Sequence, residues 1–331
     1  MIWHPKTVRN DHWGSNKVKL TRREVIKIGT GTAASLLLDM KLLKGQKSEL
    51  ITKPIPSSGE YIPVVGLGAR NYRLGEGWAS DTDEFRRTLQ TFHDLGGKVI
   101  DTSPNYGDSE TIIGNLLYDL DIRDDLWVAT KVDREDRESG IIRMEKSMER
   151  MHTDHFELMQ VHNLRGWKEQ LPTLREWKQE GRIKYLGITT SNTRQYDEME
   201  KIIRQEVLDF IQINYAADAR HAAERILPLA ADRGVGVIVN LAFGRGRLFS
   251  RARGLKLPDW AMEIDCDSWG KFFLKYVVSH PSVTVVIPGT TKAHHALDNI
   301  GAAKGRLPDA KLRSRMEKFV DQLPLAPKRE R

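Results

Sequence analysis

The sequence predicts a single-domain (β/α)8 barrel, and three observations predict it. Eight short apolar runs, near residues 62–67, 98–101, 126–131, 156–161, 183–188, 208–213, 235–240 and 283–287, alternate with longer stretches of helical pattern. Glycines close several of those helical stretches, at Gly96-Gly97, Gly181 and Gly234, where a residue tolerant of positive φ stops a helix. Ionisable side chains also stand at the ends of three successive runs, where parallel α/β folds keep their chemistry. With 331 residues, 40% of them hydrophobic, the chain can bury one large core. The doubly wound open sheet is the competing architecture, but no Gly-x-Gly-x-x-Gly links a first strand to a helix, which argues against a Rossmann site.

From the N-terminus, residues 1–45 carry signal features. Thr21-Arg22-Arg23-Glu24-Val25-Ile26-Lys27 precedes a weakly apolar stretch from Ile28 to Leu38, and this pattern resembles a twin-arginine (Tat) export signal. The apolar stretch is too short to span a bilayer as an ordinary helix, so no stable transmembrane span is expected. The resemblance implies a periplasmic protein with the twin-arginine translocase as partner; a cytoplasmic chain is the alternative. No small-x-small cleavage motif follows Leu38, where Asp39-Met40-Lys41-Leu42-Leu43-Lys44 stands. Residues 46–60 read as a linker, in which Lys53-Pro54-Ile55-Pro56-Ser57-Ser58-Gly59 should be extended and exposed. The barrel takes residues 61–325 and a basic tail residues 326–331. Its first helix opens on Asp81-Thr82-Asp83-Glu84, with acids at the positive end of the dipole, and stops at Leu95-Gly96-Gly97.

The second run ends in Asp101-Thr102-Ser103-Pro104-Asn105-Tyr106-Gly107, which places a carboxylate at the strand end and a phenol on the loop beyond. Lys131 ends the third run and His162 the fourth. An ammonium beside a phenol stabilises the phenolate and makes the phenol a better acid, while a carboxylate keeps the ammonium charged. At this point the chain resembles the aldo-keto reductases, over about residues 61–305, with Asp101, Tyr106, Lys131 and His162 in the order of that family's catalytic tetrad. The resemblance implies that Tyr106 exchanges a proton with the oxygen of a small-molecule carbonyl substrate as a nicotinamide cofactor exchanges a hydride with its carbon. Lys131 would tune Tyr106, Asp101 would hold Lys131, and His162 would orient the carbonyl.

The resemblance extends to the last strand and the helix after it. Thr290, Asp298 and Asn299 fall where the family contacts the adenosine half, at a helix N-terminus of the kind that receives anions. Gly289 and His295 stand where better-known members place a lysine and an arginine on the 2′-phosphate, so Lys292 or protonated His295 would have to substitute. NADP(H) is favoured, with NAD(H) as the alternative. Gln212 matches the family's carboxamide-binding glutamine, Thr189 and Thr190 replace a more usual Ser and Asn, and Asn240 occupies the place of a stacking aromatic. In the long loop from Leu241 to Cys266, Gly244 and Arg245 are positioned to fold over a pyrophosphate, and Phe243, Trp260 and Trp269, on or beside the loop, are candidates for a substrate pocket.

Net charge is +7, with a local excess at Arg245, Arg247, Arg251 and Arg253 that reads as a basic surface or an anion site. Nucleic acid is not an expected partner, since basic residues lack aromatic interleaving or a known motif. No metal is expected, because the ten histidines show no paired strand-end spacing. The single cysteine, Cys266, excludes an intramolecular disulfide. The competing function class is a non-catalytic, regulatory barrel that binds nicotinamide nucleotide.

Overall fold

A computed structural model describes residues 49–325 of the chain. The expected export signal and basic tail lie outside the described residues. The first elements are a β-hairpin, β1 (Thr52–Pro54) antiparallel to β2 (Tyr61–Pro63). Eight parallel strands follow in sequential order: β3 (Leu67–Gly68), β4 (Val99–Asp101), β5 (Trp127–Val132), β6 (Phe156–His162), β7 (Ile183–Thr189), β8 (Phe210–Asn214), β9 (Gly236–Asn240) and β10 (Val285–Val286). Parallel bridges Val65–Val286 and Gly68–Gly289 join the first of these strands to the last. The sheet is therefore a barrel, with a helix or helical turn in every crossover.

The expected first run, 62–67, is split between two elements. Val64 is the point of exchange: its N–H donates to Ile51 O (3.0 Å) beside the hairpin, while its C=O accepts from Val286 N (3.0 Å) of the last strand. The first barrel helix, α1 (Asp83–Asp94), buries Phe85, Thr88, Leu89 and Phe92, one stripe at helical spacing. It stops where Gly96 takes φ +86°, and a Cβ on Gly97 would meet the Phe92 ring at 2.4 Å, so the chain can turn into β4 there only without a side chain.

The barrel interior is layered. Side chains alternate along a strand, so each inward position is followed by another two residues on. Val99, Trp127, Ala129, Leu158, Tyr185, Phe210 and Ile238 form one apolar cluster at the strand starts, together with Ile55 and Ile62 of the hairpin. Two residues beyond five of these stand Asp101, Lys131, Gln160, Gln212 and Asn240. The apolar layer floors the polar one.

The stretch 53–59 corrects the expectation of an extended, exposed linker. Its turn is exposed, but Ile55 is fully buried in the floor of the barrel. Lys53 Nζ donates to the carbonyls of Val278 (2.7 Å), His280 (2.9 Å) and Val283 (2.7 Å), and Glu60 accepts from Tyr185 Oη (2.6 Å) and pairs with Lys184 (2.7 Å). A Pro/Ser/Gly composition describes the turn but not the isoleucine that the barrel floor demands.

Candidate active site

Asp101 ends β4 and Lys131 is penultimate on β5; both face inward and are buried, at 2% and 1% exposure. Lys131 Nζ donates to both carboxylate oxygens, at 2.7 and 2.8 Å, and to Thr102 O at 2.7 Å. Asp101 also accepts from Gln160 Nε2 (3.3 Å) and Gln212 Nε2 (3.4 Å). Burial acts to depress the Lys131 ammonium, but the neighbouring Asp101 and Tyr106 outweigh it and hold its pKa above the ordinary lysine value.

The loop after β4 turns Tyr106 back over this pair. Tyr106 N donates to Ser103 O (3.0 Å), and Gly107 takes φ +61°, leading into α2 (Ser109–Leu120). Lys131 Nζ lies 5.2 Å from the Tyr106 ring centroid. His162, the last residue of β6, presents its ring edge-on to Tyr106 with centroids 5.9 Å apart. Its Nδ1 bonds Ser103 Oγ at 3.2 Å, and Nε2 has no protein partner among the described residues. Burial, reinforced by the Lys131 charge and opposed by Asp133, pushes the imidazole down to about 3, so it is neutral at neutral pH.

These groups open on a cavity of about 1210 Å³, which Asp101, Tyr106 and His162 line. That exceeds the roughly 300–1,000 Å³ of ordinary small-molecule sites and leaves room for a dinucleotide beside a substrate. Thr189, Gln212, Asn240, Arg245, Gly289, Thr290, His295, Asp298 and Asn299 line it too. Asn240 Nδ2 donates to Thr190 O (3.3 Å), but Asn240 Oδ1 and Gln212 Oε1 are buried without a partner among the described residues. Asp298 accepts twice from Ser268 Oγ, at 2.7 and 2.9 Å.

Three residues proposed for the cofactor do not line the cavity. Thr190 Oγ1 donates to Gln195 Oε1 within its own loop, and Ser191 lines the cavity instead. Lys292 caps the N-terminus of the helix Ala293–Gly301, its N–H donating to Thr290 Oγ1 (3.1 Å). Gly244 serves the turn, at φ +56° with the Arg247 guanidinium pressed against it. The arginine excess is likewise dispersed. Arg247 pairs with Asp218 (2.8 Å), while Arg251 holds the carbonyls of Val320, Leu323 and Pro324; among these four arginines only Arg245 lines the cavity.

The loop from Leu241 is not structureless. It holds a short helix, Arg247–Arg251, flanked by helical turns at Gly244–Gly246 and Asp259–Ile264. Phe243 and Trp269 line the cavity, whereas Trp260 packs on Phe272 and Phe319 under Arg315. Among the described residues no helix is long and apolar enough to cross a membrane, and no group of three or more His, Cys, Asp or Glu is placed to hold a metal ion. Sequence reasoning missed Gln160 and Ser103. Gln160 was findable, two positions before His162 on the same inward face; Ser103 was not, because its contact joins the loop after β4 to the end of β6.

The aldo/keto reductase family model matches residues 64–319. The chain is 28% identical over 213 residues to aldo-keto reductase YhdN of Bacillus subtilis, covering 57% of this chain and 63% of that protein. It is 25% identical over 279 residues to L-galactose dehydrogenase of Arabidopsis thaliana, covering 76% of this chain and 87% of the other. Among solved structures, an aldo-keto reductase from Klebsiella pneumoniae in complex with NADPH superposes with a TM-score of 0.67 at 20% identity, covering 86% of this chain and 98% of that one.

Proposed function

The chain belongs to the aldo/keto reductase family and is an oxidoreductase, and we propose that it reduces an aldehyde or ketone to an alcohol, with a nicotinamide dinucleotide as reductant. The observation that carries this reading is the buried Lys131–Asp101 pair beneath Tyr106 and His162, at the end of a cavity that also holds two amide oxygens without a partner among the described residues. A buried acceptor without a donor is costly, and Gln212 Oε1 and Asn240 Oδ1 fit the N–H donors of a nicotinamide carboxamide. When bound, the reduced nicotinamide supplies the hydride to the carbonyl carbon.

The chain's own residues do the rest. Tyr106 gives its phenolic proton to the carbonyl oxygen, and the Lys131 ammonium stabilises the phenolate left behind. Asp101 keeps that ammonium charged and fixed. In the tautomer where Ser103 Oγ donates to Nδ1, His162 carries its proton on Nε2 and donates to the carbonyl oxygen, which orients and polarises it.

NADP(H) is the favoured cofactor, supported by the NADPH complex of the Klebsiella relative. The preference should be modest. Gly289 offers no cation, and burial, with His294 and Lys292 nearby, holds His295 below the ordinary histidine value. Titration of the purified chain with NADPH and NADH, followed by cofactor fluorescence and then by addition of aldehydes and quinones, tests the whole reading. Binding with oxidation of the cofactor is expected. Binding without turnover would favour a non-catalytic nucleotide-binding barrel, and absence of binding would remove the cofactor assignment.

We also propose export through the twin-arginine route, supported by Arg22-Arg23 and the short apolar stretch after them. Residues 1–45 should carry a fused reporter to the periplasm, and R22K/R23K should retain it in the cytoplasm. Equal distribution of both fusions would overturn the proposal.

A further inference from the structure

The segment after β3 is tied to both halves of the candidate site. Ala69 N donates to Asp101 O (2.8 Å), and Ala69 O accepts from Ser109 Oγ (2.7 Å), the first residue of the helix that follows Tyr106. The next residue, Arg70, is exposed and lines the cavity. It has no ion pair or hydrogen bond among the described residues. Its neighbours differ: Arg134 and Arg143 are drawn to Asp133, and Arg73 lies over the Trp78 ring at 4.8 Å.

The remaining polar groups near the tetrad end are Asn71, Asn105 and Asn163, all uncharged, beside a neutral His162. Asp101 is neutralised by Lys131 and Asp298 is occupied by Ser268. The other unpartnered lining arginine, Arg245, belongs to the loop after β9, beyond Asn240 on the nicotinamide side. A guanidinium left without an acid at the mouth of a cavity binds a carboxylate with a paired, charge-assisted geometry that water cannot match. Asn71 and Asn163 line the same cavity with amides that suit hydroxyl groups, while the Asn105 amide is held by Asp133 and Arg143.

Building on the reductase reading, we propose that Arg70 sets substrate choice and that the substrate is a polar carbonyl compound bearing a carboxylate. The hydroxyl-rich members of that class, aldehyde or keto sugar acids, match the amide-lined rim.

The test compares matched pairs with the purified chain and NADPH: 4-carboxybenzaldehyde against 4-methylbenzaldehyde, and D-glucuronate against D-glucose. The acid of each pair should be preferred in kcat/KM by about tenfold or more, the usual worth of a charged hydrogen bond. Arg70→Ala should abolish that ratio, mainly through KM of the acid; Arg70→Lys should keep part of it, and Arg70→Glu should invert it. High salt should weaken the preference, since the rim is exposed. NADPH affinity is measured by fluorescence in each variant. Equal use of acid and neutral substrates by the unaltered chain would overturn the proposal. So would an Arg70→Ala chain that loses NADPH affinity while keeping the acid preference, which would place Arg70 on the cofactor. Failure to bind NADPH, or to oxidise it with any of the four carbonyls, sinks the reductase reading instead, a result distinct from lost discrimination.

Discussion

Replacement of Tyr106 by phenylalanine is expected to lower kcat by ~100-fold or more, the usual worth of general acid catalysis, and to leave NADPH binding nearly intact. The substitution removes one oxygen and keeps the ring. The edge-on packing against His162 and the contact of the ring with Lys131 therefore survive, and what is lost is the polar interaction of the hydroxyl with the Lys131 ammonium, which Asp101 and Thr102 still hold. Steady-state turnover and cofactor fluorescence on the same preparation separate the two effects. Full activity in Tyr106→Phe would refute the proton donor; loss of both turnover and cofactor binding would show that the ring shapes the cofactor site.

Lys131→Met should have the opposite signature, losing stability as well as turnover. It leaves the Asp101 carboxylate buried at 2% exposure with only Gln160 and Gln212 as side-chain donors, at 3.3 and 3.4 Å. An uncompensated buried charge costs about 3–5 kcal/mol, a large share of a domain's stability. Removing the charge as well, in Asp101→Asn/Lys131→Met, should recover most of that loss in urea unfolding without restoring catalysis, because no ammonium then faces Tyr106. A double variant as unstable as the single one would mean that the Lys131 stem, rather than its charge, supports the barrel.

Much of this was legible in the chain because it rests on local pattern. Apolar runs and glycine stops located seven of the eight barrel strands and touched the first at Leu67, and a carboxylate, a lysine and a histidine at three strand ends marked one mouth of the barrel. Where the reading failed, distant residues decided. Ile55 sits in a stretch whose composition reads as linker, yet the barrel floor buries it. Trp260 reads like Trp269, but packs on Phe272 and Phe319 instead of the cavity. Arg247 and Arg251 looked like part of an anion patch until Asp218 and the carbonyls near residue 323 claimed them.

The sequence by itself determined the barrel, the order of Asp101, Tyr106, Lys131 and His162, and the inward face that carries three of them, since strand alternation and strand ends are properties of neighbouring residues. Only the tertiary structure decided that Lys131 spends its protons on Asp101 and Thr102, that Ser103 contacts His162, and that among the described residues Gln212 and Asn240 keep a free acceptor each and Arg70 stands unpaired at the rim. Alternation along a strand gives the direction of a side chain; its partner lies on another strand or loop, and barrel closure alone brings the two together.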